Sequence, residues 1–149
     1  MLAEIDREVG ARLDAAAQAH PNPWEGFRAC CLSYLDLALE PEIQRIVLRD
    51  APAVLGQRFR DLDEAASLGP MIESIRELME GGYIRTGDIE VLARLVNGAV
   101  LEAALWVAAG EDPAQRLPRA RSTVEILLDG LRLEARGTGS SAGPATPRP

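Results

Sequence analysis

The stretch IEVLARLVNGAVLEAALWVAA, residues 89–109, decides the fold class. It is far longer than an ordinary strand, and it is apolar nearly all the way round. On a 3.6-residue period Ile89, Leu92, Val96, Ala99 and Ala103 fall on one side, and Val91, Leu95 and Leu105 on another. Asp88 stands where an N-cap belongs, and Gly110-Glu111-Asp112-Pro113 ends this helix and opens the next. The last helix is expected to reach about Leu133. Leu117, Ala120, Val124, Leu127, Leu128 and Leu131 keep its register, with Ile126 and Leu133 off the stripe.

Each of these two helices carries more apolar surface than one core contact would cover. Two such helices from each of two copies would build a four-helix interface. Leu95, Glu102, Leu105, Val124, Leu127, Leu128 and Leu131 are the residues expected there. The same pattern also suits a helix pair wrapped inside one monomer.

Upstream the pattern stays helical. Leu2, Ile5, Val9 and Leu13 form a stripe that stops at His20-Pro21-Asn22-Pro23. Asn22 then caps a helix with Pro23 at its first position; Trp24, Phe27, Cys31, Tyr34 and Ala38 share one face and Leu32, Leu35 and Leu39 a second. A short helix follows from Pro41 to about Leu48, then a kink over Arg49-Asp50-Ala51-Pro52. A helix through Phe59 and Leu62 is expected to break at Gly69-Pro70, and a further stretch with Met71, Ile75, Leu78 and Met79 to close at Gly81-Gly82. Tyr83 to Asp88 reads as a loop. Residues 1–134 are expected to form one domain and 135–149, made of Gly, Ser, Thr, Ala and Pro, a disordered tail. No internal repeat is visible.

Composition agrees. The 149 residues are 47% hydrophobic, enough for one core, while aromatics at 4% and scattered β-branched residues argue against a sandwich or barrel. The net charge is −7, and all 16 basic residues are Arg. An acidic chain without a basic run is repelled by phosphates, so direct nucleic-acid binding by this chain is not expected. Adjacent Cys30 and Cys31 fit a reducing cytoplasm rather than a disulfide scaffold. The first residues lack the basic and apolar regions of a signal peptide. The greasiest stretch, Val91 to Ala109, carries Arg94, Asn97 and Glu102, so no membrane span is expected.

Catalytic chemistry is not visible. The single histidine, His20, lies in a Pro-rich turn, and a metal site or a nucleophilic triad needs more. Neighbouring mid-helix cysteines point about 100° apart and cannot chelate as a spaced pair does; packing is their favoured role and thiol sensing the alternative. No phosphate loop occurs. The carboxylates fall mostly on polar helix faces. No catalytic residue, metal or cofactor is expected.

A second group remains: Phe27, Cys31, Tyr34, Phe59, Met71, Ile75 and Asn97. If the middle helices enclose a cavity, these residues would line it, and aromatic walls with a few polar handles suit a small apolar ligand. Each taken singly suits an ordinary core equally well. Asn97 and Glu102 are the polar residues of the greasy helix.

The order of elements resembles TetR-family regulators. Ile46 to Gly56, read as IVLRDAPAVLG, looks like their helix-kink-helix stretch. Leu92 to Leu105, LARLVNGAVLEAAL, resembles their penultimate helix, and Val124 to Leu131, VEILLDGL, their final one. The resemblance runs from about Leu2 to Leu133. It implies an all-α domain that binds a small effector and homodimerises through its last two helices. In the family a helix-turn-helix head reads operator DNA, and effector binding re-spaces the two heads. That head would precede Met1, so the expectation is a regulatory domain without its own DNA contact. A ligand-free helical module that pairs with a full-length relative is the alternative, and an enzyme the weakest reading.

Overall fold

The computed structural model describes residues 2–133, so the expected tail at 135–149 lies outside the described residues. Among these residues the fold is all-α. Helix α1 is Leu2–Gln18 and α2 Pro23–Asp36, continued by a 3-10 turn at Leu37–Leu39. Next come α3 (Pro41–Ile43), a π-helical segment at Gln44–Asp50 and α4 (Ala51–Leu55). The long helices α5 (Gln57–Glu80), α6 (Ile89–Ala109) and α7 (Pro113–Asp129) complete it.

The helix starts follow their local chemistry. The Asn22 side chain accepts hydrogen bonds from the Trp24 and Glu25 amides at 2.9 and 3.2 Å, and Asp88 accepts from the Val91 amide at 2.9 Å. The end of α5 is a Schellman cap: the Tyr83 amide donates to the Leu78 carbonyl at 2.9 Å and the Gly82 amide to Met79 at 3.1 Å. Gly82 sits at φ +74°, a region that favours glycine.

Three expectations need correction. Gly69-Pro70 does not break α5, which runs unbroken for 24 residues with Pro70 inside it. Proline removes one helical hydrogen bond, but Ala66, whose carbonyl loses that partner, is exposed, and Leu68, Ile75 and Leu78 on the other face are buried in the core. The expected kink over Arg49-Asp50-Ala51-Pro52 falls where the π-helical segment Gln44–Asp50 runs into α4. The last helix stops at Asp129, not Leu133. The chain then peels away, and Arg132 forms an antiparallel bridge with Ile84. The Arg85 amide donates to the Leu131 carbonyl at 2.9 Å and the Leu133 amide to Tyr83 at 3.2 Å. This bridge buries Ile84 completely, so the expected loop is part of the core.

Helix α6 is the central strut, packed on α2, α5, α7 and the π-helical segment. Ala93, Val96, Val100, Leu101, Ala104, Val107 and Ala108 are its buried residues. By length and composition it is apolar enough to cross a membrane, contrary to expectation; here that apolarity is used in part for packing. It has no basic residue in its own last turn. Distant arginines take that role: the Arg49 guanidinium donates twice to the Ala108 carbonyl, at 3.0 and 2.8 Å, and Arg116 donates to the Trp106 carbonyl at 2.7 Å. Ion pairs Arg28–Glu125 and Arg121–Asp36 clamp α2 and its end to α7.

Candidate functional site: an internal cavity and an apolar outer face

A cavity of about 520 Å³ opens between α1, α2, the π-helical segment, α5 and α6. That volume lies within the range of small-molecule sites, about 300–1,000 Å³. Its existence follows from how the helices are spaced. Gly26 lets α1 approach α2 closely near Ala17: a Cβ there would stand 2.7 Å from the Ala17 carbonyl oxygen. At Gly10, which borders the cavity, an added Cβ would meet nothing within 4 Å.

Five of the expected ligand-binding residues, Phe27, Cys31, Tyr34, Met71 and Asn97, line this cavity. Phe59 and Ile75 do not. Phe59 packs with Ala51 and Leu101 in a separate cluster, and Ile75 is wholly buried in the main core. Both lie on α5: Phe59 precedes Ala66, the first α5 residue to border the cavity, by about two turns, and Ile75 is taken up by the main core. The α1 residues Val9, Gly10 and Leu13 were missed as cavity lining, as were Cys30 and Val47. The α1 stripe was visible in the sequence, but not that it faced an open space.

The two cysteines differ from sensing thiols. Burial pushes the Cys31 thiol up to about 12, and burial with nearby Asp14 also raises Cys30. Both side chains are neutral wall material near neutral pH. Among the described residues no group of three His, Cys, Asp or Glu side chains is placed to hold a metal ion.

On the opposite side, α6 and α7 present a second feature. Val91, Leu95, Ile126 and Leu127 are exposed at 52, 65, 70 and 56%. Glu102 is exposed in line with Val91 and Leu95 along α6. Trp106 stands at the edge, with the Arg116 and Arg119 guanidinium carbons 4.4 and 5.1 Å from its ring centroid. Of the residues expected at a pairing face, Leu95, Glu102 and Leu127 point outward, while Leu105 and Leu131 are half-buried. Val124 and Leu128, at 4 and 2% exposure, are corrections: they pack inside this chain with Ala120. Ile126, which lies off the expected stripe, is the most exposed large hydrophobic residue of α7. One helix carries two apolar stripes, and the inner one is already covered.

Comparisons with known proteins come down on one family. Residues 24–131 match the family model described as the tetracyclin repressor-like, C-terminal domain. Among solved structures, the chain is similar to a TetR-family transcriptional regulator from Pectobacterium atrosepticum, with 43% sequence identity and a TM-score of 0.83. The match covers 89% of this chain and 68% of that one. No curated protein sequence matches the chain.

Proposed function

The chain belongs to the TetR family of transcriptional regulators, over the family's C-terminal domain, and on that premise we propose that it senses a small, largely apolar effector and pairs with a second copy of itself. Its role is regulatory and not catalytic. The observation that carries the effector reading is the cavity. A cleft of about 520 Å³ with a largely apolar lining of the size used by small-molecule sites supports an effector over a purely adaptor role. The outer stripe of Val91, Leu95, Ile126 and Leu127 supports pairing, since large exposed apolar residues gathered on one helix pair are a surface in want of a partner.

The cavity borders the π-helical segment, and Arg49 in that segment grips the Ala108 carbonyl at the end of α6. A ligand that shifts Val47 or Leu48 in the cavity wall therefore pulls on the end of a pairing helix. That is a physical link between effector and interface, of the kind a two-state regulator requires.

The test is sedimentation velocity on the full chain and on a Leu95→Glu, Ile126→Glu double variant. The wild type is expected at twice the 16.1 kDa chain mass and the variant at the chain mass, with unchanged helical circular dichroism. A wild-type monomer, or a variant that stays dimeric, overturns the pairing face.

A further inference from the structure

The outer side of α6 is a line of exposed residues at helical spacing: Val91, Leu95, Gly98, Glu102 and Trp106. Glu102 is the one charge in that line, and among the described residues it has no ion pair or side-chain hydrogen bond. The cation beside it is in the same position. Arg119 on α7 holds its guanidinium over the Trp106 ring, 5.1 Å from the centroid, and has no carboxylate partner among the described residues. Its neighbour Arg121, turned toward α2, is paired with Asp36. The corner that sets Arg119 is tightly built: Arg116 crosses it to the Trp106 carbonyl, and a Cβ at Gly110 would stand 2.6 Å from the Arg116 side chain.

The levels of these groups follow from the helix pair. Trp106 meets Arg116 and Arg119 at one end, and Ile84 meets Arg132 at the other, so α6 and α7 run antiparallel. One turn back from Trp106, Glu102 is therefore level with the stretch 120–123, about one turn from Arg119, and Leu95 is level with the region of Leu127. A two-fold axis running along the groove between the two helices lays each α6 on the α7 of a second copy at the same level. Leu95 then meets the partner's Leu127, and Glu102 comes within reach of the partner's Arg119. Symmetry makes each contact twice.

Resting on the pairing reading above, we propose that Glu102 and Arg119 form two reciprocal ion pairs between copies of this chain, and that these pairs select a second copy over other chains with an exposed apolar stripe. An apolar stripe accepts any similar stripe. A carboxylate and a guanidinium placed reciprocally accept only a surface that carries both at the matching levels. Each copy has a net charge of −7, so two copies repel at a distance, and a locally matched contact offsets that repulsion.

The test is sedimentation velocity on the full chain with charge reversals. Glu102→Arg and Arg119→Glu each set like charges against one another at both contacts, and each is expected to weaken self-pairing by about tenfold or more. An equimolar mixture of the two variants restores both ion pairs and should dimerise as the wild type does. The chain carrying both reversals should pair with itself and fail to capture tagged wild type. Glu102→Gln adds no new charge and should weaken pairing by about threefold; if a reversal loses its helical circular dichroism, this variant decides, and unchanged pairing overturns the assignment. Reversals that pair like the wild type overturn it as well. So does a mixture no tighter than its components, the result expected of a Glu102–Arg119 contact within one copy. In those cases the apolar face stands or falls separately on Leu95→Glu, Ile126→Glu. A wild-type monomer overturns the pairing reading and the ion pairs together.

Discussion

The wall of helices α1, α2 and α5 and the pair α6–α7 are built from similar residues, yet they dispose of their apolar surplus in opposite ways. The first region gathers it around a half-open cavity lined by Phe27, Tyr34 and Met71. The second packs its inner stripe of Ala120, Val124 and Leu128 to near-complete burial and leaves a second stripe facing out. The difference teaches that apolar content does not report packing. Empty volume inside and bare surface outside are two distinct departures from a closed globule, and each invites a different occupant.

The adjacent residues Leu127 and Leu128 put the largest strain on this contrast. Leu128→Ala removes side-chain atoms from the core and is expected to lose about 2–5 kcal/mol in urea unfolding, at any protein concentration. Leu127→Ala should lose less, about 1 kcal/mol or under, and its loss should depend on protein concentration, because its contacts would come only from a second copy. Equal, concentration-independent losses would erase the distinction between inner and outer stripes.

Two glycines sharpen the other side. At Gly26 an alanine Cβ would collide with the Ala17 carbonyl oxygen, a backbone atom that moves only if α1 moves. Gly26→Ala is therefore expected to destabilise by about 1–3 kcal/mol. Gly10→Ala meets open space and should instead stabilise by up to about 1 kcal/mol through helix propensity. Thermal unfolding of the two variants reads both signs. If both destabilise, the space beneath Gly10 is not open.

The smallest expected effect is at the far edge of the cavity wall. Arg12 holds α1 to Glu40 through two guanidinium–carboxylate hydrogen bonds, and this holds the Glu40 carboxyl below its ordinary 4.5. A group whose value is lowered by folding stabilises fully above its unfolded value and loses that contribution as pH falls through the folded one. Both side chains are largely exposed, so the contribution is small and salt-sensitive. Between about pH 5.5 and about pH 3 the wild type should lose slightly more thermal stability than Arg12→Gln. An identical loss in both would mean that the pair does nothing to hold α1.

Much of this was legible beforehand. Asn22 and Asp88 cap the helices they were expected to cap, because a side chain reaching an amide two or three residues away is a local matter. The long apolar run at 89–109 is a helix for the same reason. Five cavity residues were found because Phe27, Cys31 and Tyr34 lie on one face of a single uninterrupted helix. Phe59 and Ile75 were misplaced because how far along α5 the cavity reaches, and which residues the main core takes up, depend on neighbouring helices. Val124 and Leu128 were assigned outward because periodicity finds stripes without saying which neighbour covers them.

The sequence by itself determined the all-α class, most helix starts and the surplus of apolar residues on α6 and α7, since these depend on interactions within a few residues along the chain. Only the tertiary structure decided that α5 passes through Pro70, that Ile84 pairs with Arg132, that Arg49 and Arg116 cap α6, and which of two adjacent leucines faces in. The cavity belongs to that second group. Its volume is set by the distances between α1, α2, α5 and α6, and a distance between helices is fixed by contacts such as Gly26 against Ala17 that join parts of the chain no local pattern connects.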